Sequence, residues 1–79
     1  MRNSNQSIER QIINTYRDGF LLYLKSQNIY FKKIANYMEA FNKCFTTTNI
    51  KTYRNLKIPQ IKSVIEKFAK DKSIDLNQF

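Results

Sequence analysis

The chain of 79 residues contains no histidine and no tryptophan, and only one glycine (Gly19), one proline (Pro59) and one cysteine (Cys44). Each shortage removes a class of function. Without His and with a single Cys there is no Cys/His zinc site, no Ser-His or Cys-His nucleophile pair and no imidazole base. One glycine cannot build a phosphate-cradling loop, and one thiol permits no internal disulfide, which fits a reducing compartment. Few Gly and Pro also mean few tight turns, and that favours helices over strand hairpins. The longest apolar run, Phe20 to Leu24, is too short to cross a bilayer. The opening Met1 to Ser7 is polar and lacks the apolar core of a secretion signal. The expectation is a soluble, cytoplasmic protein without a membrane partner.

Acids are scarce as well: six Asp and Glu stand against 14 Lys and Arg, for a net charge of +8. The carboxylates are scattered. Glu9 with Asp18, or Asp71 with Asp75, could hold a divalent ion or share a proton, but each pair reads more simply as a solvated helix face or a terminal turn. No enzyme activity, cofactor or metal is therefore expected. The cationic surplus is local, because Lys25 to Lys70 carries nine Lys and Arg54 against Glu39 and Glu66, while the remainder of the chain nets zero. Such a concentration suits a polyanion, since Lys and Arg that displace condensed counterions are the source of sequence-independent nucleic-acid affinity. Abundant Ile, Lys and Asn, with AT-rich codons, suggest a low-GC genome or a mobile element.

A hydrophobic fraction of 42% supports one core despite the charge, and periodicity describes its elements. Ser7 is placed to cap a first helix over residues 7–25, with Glu9 in its first turn. Ile8, Ile12, Ile13, Tyr16, Phe20, Tyr23 and Leu24 recur at three- and four-residue steps along one side. Gly19 lies inside it, at a cost of about 1 kcal/mol relative to Ala, and is read as a tolerated residue rather than a close helix contact. After Ser26-Gln27-Asn28, with Asn28 as the cap, a second helix is expected over 29–44, its apolar side running from Tyr30 through Ile34, Met38, Phe41 and Phe45 with Tyr37 alongside. Thr46-Thr47-Thr48-Asn49 should end it and cap a short third helix, residues 50–56. Ile58 should be pushed out of helical geometry by Pro59, which opens a fourth helix patterned on Ile61, Val64, Ile65 and Phe68. Ile74, Leu76 and Phe79 of the polar tail can fold back on the core or on a neighbour. The fold class is all-α: a small three- to four-helix domain, helix-turn-helix-like, with all 79 residues in one domain.

Tyr16, Tyr23, Tyr30 and Tyr37 are spaced by seven, with Ile13, Phe20, Ile34 and Phe41 in the complementary positions. An unbroken helix would make this a heptad seam able to pair two copies into a homodimer. A hairpin would make it core packing, and is preferred because helices average only about 11–12 residues.

The nucleic-acid contact is expected in residues 48–67. Two helices joined by a short turn can deliver side chains to base edges, and the candidates are Thr48, Lys51, Thr52, Arg54, Asn55, Lys57, Gln60, Lys62, Ser63 and Lys67, with Lys32 and Lys33 on the second helix. Arg forks onto guanine, Asn onto adenine, Thr meets a base or the thymine methyl, and Lys finds phosphates or guanine. A basic outer face is also commonly just hydrated. Here the near absence of acids from the same stretch shifts the balance towards nucleic acid; the partner expected is DNA, with duplex placed ahead of RNA.

Phe31-Lys32-Lys33-Ile34-Ala35-Asn36-Tyr37-Met38, then Asn49-Ile50-Lys51-Thr52-Tyr53-Arg54-Asn55-Leu56, then Pro59-Gln60-Ile61-Lys62-Ser63-Val64-Ile65 resemble the helix-turn-helix region of bacterial recombinases and resolvases. The resemblance spans about residues 31–68, half the chain; the glycines and tryptophan usual around the connector are absent. It implies a stand-alone DNA-binding module such as a small regulator, a replication-origin binder or an accessory factor, and it moves the reading helix to residues 59–68. The rival reading is a phage- or plasmid-type inhibitor or adaptor whose basic surface meets an acidic protein. A membrane-surface role is disfavoured by the near balance of charge on the first helix.

Overall fold

The computed structural model describes residues 7–77. Expectations that fall on residues 1–6 and on Phe79 lie outside that range. Within it the protein is all-α, with four helices and no strand among the described residues: α1 (Ile8–Ser26), α2 (Phe31–Cys44), α3 (Ile50–Tyr53) and α4 (Ile58–Asp71).

Ser7 caps α1 as its residue type predicts, its hydroxyl accepting the Arg10 N–H at 3.1 Å. The helix ends at a different residue from the one the sequence suggests. Asn28 does not cap α2. It sits in the left-handed region at φ 58° and closes α1, its N–H bonded to the Lys25 carbonyl (3.1 Å) and that of Ile29 to the Leu24 carbonyl (3.4 Å). That pair of bonds is the Schellman pattern, which asks for Gly or Asn at this position. Helix α2 consequently begins at Phe31, two residues late, with Tyr30 as a cap that gives no side-chain hydrogen bond. The heptad-spaced residues are divided by this corner. Ile13, Phe20, Ile34, Tyr37 and Phe41 are buried in the chain's own core, whereas Tyr30, expected on the apolar side of α2, is exposed.

The third helix is shorter than its pattern, four residues in place of seven. Continuing it would require the Lys57 N–H to bond the Tyr53 carbonyl, but that N–H goes instead to Gln60 Oε1 at 2.8 Å. This is the side-chain half of a capping box, and it opens the next helix. Lys57 is the extended residue (φ −88°, ψ 161°) and Ile58, expected to be non-helical, is the first residue of α4. Pro59 then stands second, where its missing N–H is equally harmless because the first four helical N–H groups have no internal acceptor. The other end of α4 repeats the closure of α1: Ser73 is left-handed at φ 58°, and Ser73 and Ile74 N–H bond the Lys70 and Ala69 carbonyls at 3.2 and 2.7 Å.

Phe20, Phe41, Phe45, Leu24, Ile50, Ile61 and Ile65 are fully buried, and no polar or charged residue is buried among the described residues. Rings link the helices. Phe20 of α1 stacks on Phe41 of α2 (centroids 5.7 Å apart) and meets the edge of Tyr37, and Phe45 touches both Phe41 and Tyr53 at 4.8 Å. Edge-to-face and offset pairs of this kind add about 0.5–1.5 kcal/mol each beyond area burial. The tail does fold back: Leu76 is buried and its carbonyl accepts Asn36 Nδ2 at 3.0 Å.

Gly19 is not merely tolerated. A Cβ built there would come within 3.2 Å of Ile58 Cδ1, so the missing side chain lets α1 approach the start of α4.

Candidate nucleic-acid interface

The segment between α3 and α4 is set in place by α1. The Tyr16 hydroxyl, with one proton to donate, lies within hydrogen-bond reach of three carbonyls: Tyr53 (3.2 Å), Arg54 and Leu56 (3.1 Å). Nearer the start of α1, Glu9 pairs with Lys51 Nζ at 3.0 Å. The hydrogen bond from that ammonium is the main reason the Glu9 carboxyl is held below its ordinary value. The preceding turn is fixed by Asn49, whose Oδ1 accepts the Thr46 N–H (2.8 Å) and whose Nδ2 donates to the Cys44 carbonyl. Asn49 stands at the start of α3, but it holds the turn behind it rather than capping the helix ahead.

On this frame Thr48, Lys51, Thr52, Arg54, Asn55 and Lys57 are all exposed. They are followed on α4 by Gln60, Ser63 and Lys67, also exposed, at spacings of three and four that put them on one stripe. Gln60 is occupied by the Lys57 N–H, and the Ser63 hydroxyl leans on the Pro59 carbonyl at 3.5 Å. Arg54 and Asn55 lie beyond the last residue of α3, in a turn. With α3 only four residues long, α4 is the element long enough to enter a groove.

Three candidates are elsewhere. Lys62 is on the edge of α4 facing α2. Its ammonium bonds Glu66 Oε2 at 2.7 Å and lies 5.4 Å from the centre of the Tyr37 ring, while the Tyr37 hydroxyl donates to the same carboxylate oxygen at 2.8 Å. Burial pushes the Glu66 carboxyl up, but hydrogen bonds from Lys62 and Tyr37 and the charges of Lys62 and Lys33 outweigh it and leave the group lowered. Lys62 is raised by its bond to Glu66. Tyr37 is raised by burial first and by Glu66 second. Lys32 and Lys33 belong to the first turn of α2, beside the corner where α1 ends. Glu9 and Lys25 mark the two ends of α1 and are sixteen residues apart, about 24 Å at 1.5 Å per residue. The structure thus strings Thr48 to Lys57 with Gln60, Ser63 and Lys67 along α3 and α4, while Lys32 and Lys33 stand on α2, Lys33 near enough to Glu66 of α4 for its charge to act there.

Two ion pairs occur among the described residues, Lys51–Glu9 and Lys62–Glu66. Neither Arg54, Lys57 nor Lys67 takes part, and their charge is uncompensated by a direct partner. Arg54 also edges a groove of about 420 Å³ floored by Ile8, Ile12 and Tyr16. Among the described residues no group of three or more His, Cys, Asp or Glu is placed to hold a metal ion. Nor is any helix long and apolar enough to cross a membrane.

Sequence reasoning did not find Tyr16, Glu9 or Glu66 as determinants of this surface. The Lys62–Glu66 pair has a local signal, the i,i+4 spacing; Tyr16 and Glu9 reach residues far along the chain and have none.

Fold and surface together define a small all-α domain with a cationic ledge between its last two helices. Protein-family models, curated proteins and solved structures contain no match to the chain.

Proposed function

We propose that the protein is a non-enzymatic DNA-binding module that grips duplex phosphates with the α3–α4 ledge and presents the outer stripe of α4 to a groove. One observation carries the reading: from Ala40 to Ile65 the chain has no acid, and within and just beyond that stretch Arg54, Lys57 and Lys67 stand exposed without ion-pair partners. The resemblance to recombinase helix-turn-helix regions supports the same assignment and the same reading helix. Roles as a regulator, origin binder or accessory factor of a mobile element, in the cytoplasm, fit such a module. Pairing of two copies through the tyrosine seam would compete with the core, since Tyr37 is buried and the Tyr16 hydroxyl is engaged.

The test is anisotropy of a labelled duplex at several salt concentrations. Replacing Arg54, Lys57 and Lys67 together by Ala should weaken binding to any duplex and flatten the salt dependence by about 0.9 in log–log slope for each phosphate no longer neutralised. Lys62→Ala should change the slope far less, because Glu66 already holds that ammonium. Asn55→Ala should cost about 1–3 kcal/mol on a preferred sequence if Asn55 forks onto adenine. A triple variant that binds duplex as the parent does would end the proposal.

A second reading is favoured by the groove at Arg54: its Ile8 and Ile12 floor suits an acidic, partly apolar protein segment, as an inhibitor or adaptor would engage. It predicts salt-sensitive binding to a protein and none to DNA.

A further inference from the structure

The corner between α1 and α2 carries an aromatic pair that is left outside the buried core. Tyr30 and Phe31 are adjacent in sequence, 54% and 66% exposed, with ring centroids 4.7 Å apart and planes inclined by 50°. The rings Phe20, Tyr37, Phe41 and Phe45 are buried and run in series to the half-buried Tyr53 of α3; these two are exposed instead. They follow the Schellman closure at Asn28 and Ile29, with Tyr30 at the N-cap and Phe31 the first residue of α2.

The surroundings are cationic. No acid occurs in sequence from Gly19 to Met38, and Lys25, in the last turn of α1, and Lys32, in the first turn of α2, are both exposed and free of ion pairs. Glu66 of α4, whose carboxyl feels the charge of Lys33, is itself taken up by Lys62 and Tyr37. An exposed π surface flanked by ammonium groups matches an unpaired nucleobase with a phosphate on either side: the base stacks on the ring and the backbone meets the lysines. A duplex, with its bases already stacked on one another, offers no free base face to such a ring. A lipid surface would want the exposed apolar side chains together. Of these, Ile8 (68% exposed) stands fourteen residues and about 21 Å along α1 from Leu22 (66% exposed), which lies one turn before Lys25, so a lipid contact at this corner is the competing outcome.

We infer that Tyr30 and Phe31, with Lys25 and Lys32, form a stacking platform for single-stranded nucleic acid, distinct from the α3–α4 ledge. The site goes beyond the duplex reading and does not depend on it.

The experiment is an anisotropy titration of a short mixed-sequence single strand, the same strand with abasic sites, and the corresponding duplex. Each is titrated with the parent protein, the Tyr30→Ala/Phe31→Ala double variant and Tyr30→Phe. Circular dichroism of each variant against the parent separates a loss of fold from a loss of stacking, and Tyr30→Phe retains the ring. Stacking predicts a loss of about tenfold or more on the intact single strand for the double variant, a comparable loss when the parent meets the abasic strand, little change for Tyr30→Phe, and duplex affinity within about twofold of the parent. Equal affinity of parent and double variant for the single strand would overturn the platform, as would equal affinity of the parent for intact and abasic strands. Vesicles containing phosphatidylserine form a parallel arm. If the double variant lost vesicle binding while its single-strand binding stayed intact, the site would be a lipid contact and the inference wrong. Failure of the duplex proposal would show in the Arg54, Lys57 and Lys67 variant on duplex, a separate readout.

Discussion

Tyr16 does more than its place on an apolar stripe indicates. Its ring contributes to the side of α1 that faces the core, and its hydroxyl lies within hydrogen-bond reach of the carbonyls of Tyr53, Arg54 and Leu56, where the chain passes from α3 to α4. Tyr16→Phe keeps the ring and deletes the donor, so it should destabilise the fold by about 0.5–1.5 kcal/mol. The check is the urea midpoint at unchanged slope. The same variant should loosen the ledge, visible as faster amide exchange at residues 53–57, and no change in exchange there would show that the segment is held by something else. Gly19 has the opposite character. Adding a methyl group would gain about 1 kcal/mol of helix propensity, yet that methyl would press on Ile58, and the two effects oppose one another.

The elements divide by how far their determinants reach. Helices α1, α2 and α4 were legible because an apolar stripe at i, i+3, i+4 and i+7 is a local property, and Ser7 announces the start of α1 through its own first turn. The length of α3 was not legible. It stops at Tyr53 because the Lys57 N–H is claimed by Gln60, and the carbonyls left over are met by a tyrosine 37 to 40 residues earlier. Asn28 is ambiguous for a related reason: Asn suits both an N-cap and a left-handed C-terminal position, and its φ of 58° selects the second. On the ledge, Arg54, Asn55 and Lys57 were legible as cations and polar groups on an acid-free stretch. The neutralisation of Lys51 by Glu9 was not, since it depends on α1 lying beside α3. The end of α4 offers a direct check on the account of termination. Ser73 adopts φ 58° without the side-chain amide that eases Asn into that region. Ser73→Gly should therefore stabilise the domain by about 0.5–1 kcal/mol, and more than Asn28→Gly, in thermal unfolding of the two variants side by side.

At the scale of the whole molecule, a domain of this size buries only about 60% of its unfolded surface, so modest electrostatic terms show in its stability. Cys44 is raised above its ordinary 9.0 by burial, Tyr37 above 10.0 by burial and then by Glu66, and Lys62 above 10.5 by its bond to Glu66. For all three the folded state keeps its proton after the unfolded state has lost it, so the unfolded state binds fewer protons and stability falls as pH rises. The decline should set in near pH 9 and steepen through pH 10 to 11. Cys44→Ala should remove its earliest part. Glu9 and Glu66 act at the other limit: both are lowered from 4.5, so their contribution is complete above that value and disappears as pH falls through their folded values. Urea midpoints measured between pH 3 and pH 11 would trace a plateau with these two edges. A midpoint that kept rising above pH 9 would contradict the assignment of all three alkaline groups.

The attachment of residues 51–57 to α1 has a consequence for the intact chain. Both anchors, Glu9 and Tyr16, lie in the leading helix, so this cationic segment borrows its shape from residues synthesised well before it. A proteolytic nick that released α1 would leave Lys51, Arg54 and Lys57 covalently in place yet without fixed spacing. What had been a moulded contour would become a flexible polycation, and on the duplex proposal such a segment would still be drawn to phosphate without matching one backbone geometry.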